Sequence, residues 1–177
     1  MNDYNEYIFY VPFLHLEVRD WVHKKERLKN VLNLCDLNNK IETEINTDYH
    51  NKNNNYQEVI SDILREEIDI FNNHYNLKLT IMDAWFERAD KKNYHKVHNH
   101  GCIGYSSVCY IDYDEEEHTA TQFIAPFNNF LNGDCLNYTP NVKEGSLIFF
   151  PSSIVHYTLP NESEKERTIL SFNLRVG

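Results

Sequence analysis

Two patterns that would place this chain among nucleic-acid binders or membrane proteins are missing. No run of Lys or Arg forms a basic stripe, and 17 basic against 27 acidic residues leave a formal charge of -10, so phosphate backbones find no electrostatic footprint. A direct nucleic-acid partner is not expected. No apolar run approaches the roughly 20 residues a membrane span needs. The polar start Met1-Asn2-Asp3-Tyr4-Asn5 also lacks the basic-then-apolar order of a secretory leader. The expectation is a soluble, cytoplasmic chain. The four cysteines, Cys35, Cys102, Cys109 and Cys135, form no C-x-x-C pair, which argues against a zinc ribbon and against a disulfide framework. They are expected as reduced thiols that pack as small hydrophobes.

What is present is enough for one packed domain over 1–177: 41% hydrophobic residues, with Tyr 12 and Phe 10. The run Tyr7-Ile8-Phe9-Tyr10-Val11-Pro12-Phe13-Leu14 reads as a strand edged by its proline. Asp20 then stands as a helix cap, and Trp21, Leu28, Val31, Leu32 and Cys35 recur at helical spacing over about four turns. From Leu37 to Asn55 the chain is dense in Asn, Asp, Thr and Glu and reads as a surface loop. Asn55 and Glu58 resemble a capping box for a second helix carrying Val59, Ile60, Ile63, Leu64, Ile68 and Phe71 toward a core.

After Asn76 the texture changes to short β-branched and aromatic runs, predicting strands near 77–88, 94–100, 104–113, 119–125, 134–138, 146–150, 154–159 and 167–175. Many short strands at even spacing imply a sandwich or barrel-like roll with the two helices packed outside it. The division is a strand-plus-helix part over 1–76 and a β core over 77–177.

Within that core, His98 and His100 share one face of an extended strand, so both imidazoles can converge on one ion, whereas His95 faces the other way. A His-x-His alone is weak evidence. A third histidine, His156, stands in an otherwise apolar stretch after Pro151 and needs a metal or a hydrogen-bonding partner. Arg167 opens an alternating strand in which Arg167, Ile169, Ser171 and Asn173 share a face. A guanidinium there calls for a carboxylate, with the Ser171 hydroxyl as a further donor.

The order His-x-His, then Gly104-Tyr105-Ser106-Ser107-Val108-Cys109-Tyr110-Ile111, then the block from Gly145 to His156, then the run from Pro160 to Asn173, resembles the iron(II)- and 2-oxoglutarate-dependent oxygenases of bacteria and their phages. Trp85 and the opening aromatic segment extend the resemblance over nearly the whole chain. It implies a double-stranded β-helix, or jelly roll, and a hydroxylase that spends dioxygen and 2-oxoglutarate on an unactivated C–H bond, releasing succinate and CO2, with ascorbate as reductant. It makes His98 and His156 iron ligands and Arg167 the partner of the far carboxylate of 2-oxoglutarate, with Ser171 and Tyr110 helping to hold that cosubstrate.

His100 stands where the wider superfamily has Asp or Glu, and two readings stay open. Either His100 completes a three-histidine site, which is the favoured reading, or it stands behind the ligands and iron keeps two protein ligands. Trp85 and the aromatic loop from Phe123 to Phe130 are candidates to wall the substrate pocket. A cupin-type metal site and a non-catalytic jelly-roll module are the rival readings; a closed zinc site would look to Cys102 or Cys109 for its fourth ligand. A protein side chain or a small metabolite is the expected substrate, a phage origin would place the protein in the host cytoplasm, and open sheet edges would suit a homodimer.

Overall fold

Alternating side chains along the C-terminal strands give each strand two different faces, and the fold uses both. The computed structural model describes residues 10–38, 44–51 and 55–177. Its strands are β1 (Leu14–Glu17), β2 (Asn46–Thr47), β3 (Leu79–Ala89), β4 (His95–His98), β5 (Tyr105–Asp112), β6 (Gln122–Asn128), β7 (Cys135–Tyr138), β8 (Ser146–Pro151), β9 (Val155–Thr158) and β10 (Arg167–Val176). The helices are α1 (Trp21–Leu32), α2 (Gln57–Ile63) and α3 (Arg65–Tyr75).

One sheet has the order β1-β8-β5-β10-β3-β2 and the other β4-β9-β6-β7, with antiparallel pairing along the strands of both. This is the jelly-roll architecture expected of the sequence, and all eight strands expected after Asn76 form close to their expected bounds.

The outer face of the six-stranded sheet carries Phe86, Cys109, Leu147, Phe149, Leu170, Phe172 and Leu174, and the helices cover it with Leu28, Ile60, Ile63, Ile68 and Phe71. Phe71 stacks on Phe149 with ring centroids 4.5 Å apart. Each such side chain contributes about 1.5–3 kcal/mol by leaving water. The inner face carries Val108, Tyr110, Ile148, Phe150 and Ile169 and packs toward Phe123 and Ile154. Under the helices, Lys24 meets the buried Glu67 at 2.9 Å.

Upstream of β3 the structure departs from expectation. Residues Tyr7, Ile8 and Phe9 of the expected opening strand lie outside the described residues, and Tyr10 to Phe13 are not strand; β1 begins two residues after Pro12, whose missing N–H cannot serve a ladder. Asp20 does precede α1, but it adopts a left-handed conformation (φ 49) and makes no side-chain cap bond. The helix spans 12 residues, short of four turns, so Cys35 falls beyond it and bonds Val31 O through its thiol.

The expected second helix divides at Leu64 into α2 and α3, and neither has a side-chain cap bond at its start; Tyr56, not Asn55, precedes α2. Nor is the 37–55 stretch a plain surface loop where it is described. Its β2 pairs with β3, Ile45 is buried, and the buried Asp48 accepts from Phe86 N (2.8 Å) and from the Tyr56 hydroxyl (2.6 Å). Asn and Asp compete with regular structure locally, yet one such residue can also anchor a segment when a backbone N–H lies in reach.

Candidate functional site

The chain changes sheets at the Pro151 turn, from β8 in the large sheet to β9 in the small one, and this crossover delivers His156 opposite His98 in the β4–β9 ladder. His100 lies just past the end of β4, held by its N–H on Ser152 O at 2.8 Å. Ring nitrogens of His98, His100 and His156 all lie within 4.8 Å of one another, and these three form the one metal-capable His/Cys/Asp/Glu cluster among the described residues. The turn back into β5 uses Gly104 (φ 80), where a Cβ would stand 2.3 Å from Leu174 O.

Each of the three imidazoles has its Nδ1 committed. His98 Nδ1–H donates to Lys96 O at 2.7 Å and His156 Nδ1–H to Ile154 O at 2.9 Å. His100 Nδ1 sits 2.9 Å from Asn173 Oδ1. A ring that donates through Nδ1 presents Nε2 as a bare lone pair, the form a divalent cation requires. Charge state agrees: burial, followed by neighbouring imidazoles, lowers His98 to about 4 and His156 to about 3, and burial also lowers His100. Three neutral nitrogen donors converging without a carboxylate among them fit a borderline divalent cation such as iron(II).

Across from this cluster, β10 presents Arg167, Ile169, Ser171 and Asn173 inward. Arg167 is 4% exposed, its Nη1–H donates to Thr119 O at 2.7 Å, and it makes no ion pair among the described residues. Burial pulls its pKa down, more than the opposing influence of Tyr110, Glu87 and Tyr113 pushes it up. Tyr110 lies beside it, but the Tyr110 hydroxyl already donates to Thr121 Oγ1 and accepts from Thr121 N, both at 3.2 Å. Ser171 Oγ–H points to Glu87 Oε1 at 3.4 Å.

Glu87 is the residue that sequence reasoning missed. It is 5% exposed and lines the same small cavity as the three histidines and Ser171. Trp85 Nε1–H donates to it at 2.6 Å and His95 Nδ1 lies 3.2 Å away. Burial pushes this carboxyl up, but the adjacent His95 and the Trp85 donor outweigh it and hold it at about 2. Burial likewise opposes charge on His95, and Glu87 overrides it to raise that pKa. His95 stacks on His98 with ring centroids 3.9 Å apart and lines the same cavity, not the opposite face that plain alternation implies, because the β4–β9 register shifts between these two residues. The available signal was positional: Asp83, Trp85 and Glu87 alternate along β3 and share its inner face.

A cleft of ≈ 480 Å³ opens over the histidines, walled by Trp85, Tyr49, His50, Asp83, Glu44 and Lys96. Trp85 therefore lies where a substrate wall was expected, whereas the 123–130 loop does not: Phe123 packs in the core against His156, and Phe127 and Phe130 stack together at the surface. Of the two cysteines weighed as a fourth metal ligand, Cys102 is exposed and Cys109 is buried on the helix side of β5. No described helix is long and apolar enough to cross a membrane.

The fold has counterparts among known proteins. The chain superposes on a prolyl-4-hydroxylase from Pseudomonas putida with a TM-score of 0.64 at 13% identity, covering 93% of this chain and 92% of that one. The viral collagen prolyl hydroxylase of Paramecium Bursaria Chlorella virus-1, solved with 2-oxoglutarate, gives 0.63 at 16% identity over 93% and 96%. HygX from Streptomyces hygroscopicus, solved with nickel, 2-oxoglutarate and hygromycin B, gives 0.65 at 11% identity over 93% and 83%. No curated protein matches the sequence. The profile described as "Putative 2OG-Fe(II) oxygenase" matches residues 83–173, the span from Asp83 to Asn173 that contains all three histidines and Arg167. By that match the chain belongs to the 2OG-Fe(II) oxygenases, enzymes that use iron(II), 2-oxoglutarate and dioxygen.

Proposed function

We propose that this oxygenase hydroxylates an unactivated C–H bond of a protein side chain or a small metabolite, with His98, His100 and His156 as the iron ligands and Arg167 as the anchor of 2-oxoglutarate. The observation that carries the reading is the buried guanidinium of Arg167, without an ion pair among the described residues, on the strand that faces the three converging imidazoles. A buried cation with no carboxylate in direct contact is costly, and the far carboxylate of a five-carbon diacid would supply that contact with bidentate geometry.

Iron(II) in the histidine cluster would supply activation of dioxygen coupled to decarboxylation of the cosubstrate. The chain's own residues do the rest. Ser171 turns its hydroxyl from Glu87 to the bound carboxylate, and Tyr110 supports the same end either through Thr121 or by redirecting its hydroxyl. Three histidines in place of two and a carboxylate leave the metal one charge more positive, which favours a dianionic cosubstrate. Trp85 and Tyr49, with ring centroids 4.9 Å apart, form an aromatic wall of the cleft that limits water and orients the substrate.

Incubation with iron(II), ascorbate and 2-oxoglutarate tests the assignment. Oxygen-dependent succinate is expected even without the prime substrate, as slow uncoupled turnover. Absence of both turnover and 2-oxoglutarate affinity in a protein that binds the metal would overturn the role of Arg167.

A further inference from the structure

The Nδ1 partners of the three histidines are not alike. His98 and His156 each use the carbonyl two residues earlier in the chain, so their tautomer is set locally by the strand. His100 has no such carbonyl. Its ring is held by Asn173, 73 residues away, and that contact belongs to a longer chain of hydrogen bonds whose two ends are charged.

Arg175 Nη1–H donates to Ser152 Oγ at 3.0 Å, and Ser152 Oγ lies 2.9 Å from Ser106 Oγ. Ser106 Oγ–H donates to Asn173 Oδ1 at 2.7 Å, and Asn173 Nδ2–H donates to Asp83 Oδ1 at 2.5 Å. A guanidinium can only donate and an ionised carboxylate can only accept, so the two ends impose one direction on the bonds between them. Ser152 spends its hydrogen on Ser106, and Ser106 spends its own on Asn173. The amide must then turn its NH2 to Asp83 and its oxygen to His100. Ser106 Oγ also lies 2.9 Å from His100 Nδ1, and with its hydrogen on Asn173 it too can only accept there. Neither neighbour of Nδ1 has a hydrogen to give; hence the hydrogen belongs to Nδ1, and Nε2 is left bare. Arg175 also donates from Nη2 to His100 O at 3.2 Å, fixing the backbone under the ring.

We infer that Asp83 and Arg175 are positioning residues that, acting through Asn173, Ser106 and Ser152, lock His100 in the Nδ1–H tautomer and so build it as the third metal ligand. The inference rests on the three-histidine reading above, and it makes the exposed Asp83 a determinant of the site without touching the metal. Free imidazole favours the opposite tautomer, so the lock must come from the protein.

Long-range 15N–1H correlation spectra of the metal-free protein report the tautomer directly, and calorimetric titration with Ni(II) alone reports the ligand set. Wild type is expected to show His100 as Nδ1–H. Asp83→Ala frees the Asn173 amide to flip: the His100 signal should move toward the Nε2–H form, and Ni(II) affinity should fall about 10-fold or more. Asp83→Asn can still accept from Asn173 and should keep the tautomer. His98 and His156 serve as internal controls and should not change in either variant. An Asp83→Ala protein with an unaltered His100 tautomer and unaltered Ni(II) affinity would overturn the relay. If the His100 tautomer responds as expected but no variant, nor wild type, binds Ni(II), the relay stands and the metal reading fails.

Discussion

The two faces of β10 lie a side-chain length apart and live under different rules. Outward, Leu170, Phe172 and Leu174 are fully buried and belong to the apolar cluster that the helices cover. Inward, Arg167, Ser171 and Asn173 are almost as buried, yet each is polar and makes a side-chain hydrogen bond. One face supplies the hydrophobic free energy that holds the strand in place; the other uses that fixed backbone to hold polar groups where solvent would not leave them. Stability and function are thus separable by residue parity along a single strand.

That separation can be broken deliberately. Phe172→Ala should cost about 3–5 kcal/mol of folding stability, read as a lowered urea midpoint, while 2-oxoglutarate affinity of the folded fraction stays unchanged. Arg167→Ala should do the reverse, weakening 2-oxoglutarate binding by about 2–5 kcal/mol in calorimetry with little change in the midpoint.

Glu87 and His95 sharpen the comparison, because their pairing is polar yet stabilising. Glu87 is held at about 2 against an ordinary 4.5, so its contribution is present above the ordinary value and is lost as pH falls toward 2. His95 is raised above 6.5, so its contribution is present below that value and is lost as pH rises through the raised one. The stability difference between wild type and Glu87→Gln should therefore peak at about pH 5–6, at on the order of 2–3 kcal/mol, and shrink on either side. Cys102→Ser, at an exposed position outside the histidine cluster, should change stability by less than about 0.5 kcal/mol and leave Ni(II) affinity alone.

Legibility in the sequence followed the same division. The β core was readable because period-two alternation and turn residues act over a few neighbours, and the three histidines that converge, His98, His100 and His156, like Arg167 and Ser171 on the inner face of β10, carry chemistry that stands out against apolar strands. The helical half was harder. The break at Leu64 leaves the apolar stripe from Ile60 to Phe71 intact, so periodicity gives no sign of it. Asp48 looks like one more polar loop residue until Phe86 N and Tyr56 arrive from elsewhere in the chain. Glu87 escaped for a related reason: a lone glutamate on a strand reads as solvent-facing unless its partners, Trp85 nearby and His95 on another sheet, are known to close around it.

The crossover at Pro151 has a further consequence. Because the imidazoles of His98 and His156 ride on the small sheet and Arg167 on the large one, the gap between the sheets would act as a calliper on the proposed cosubstrate. Four-carbon and six-carbon 2-oxo diacids would meet the same two ends at the wrong separation, so discrimination by length would be a property of the sheet packing itself, and core residues far from the metal would set its tolerance.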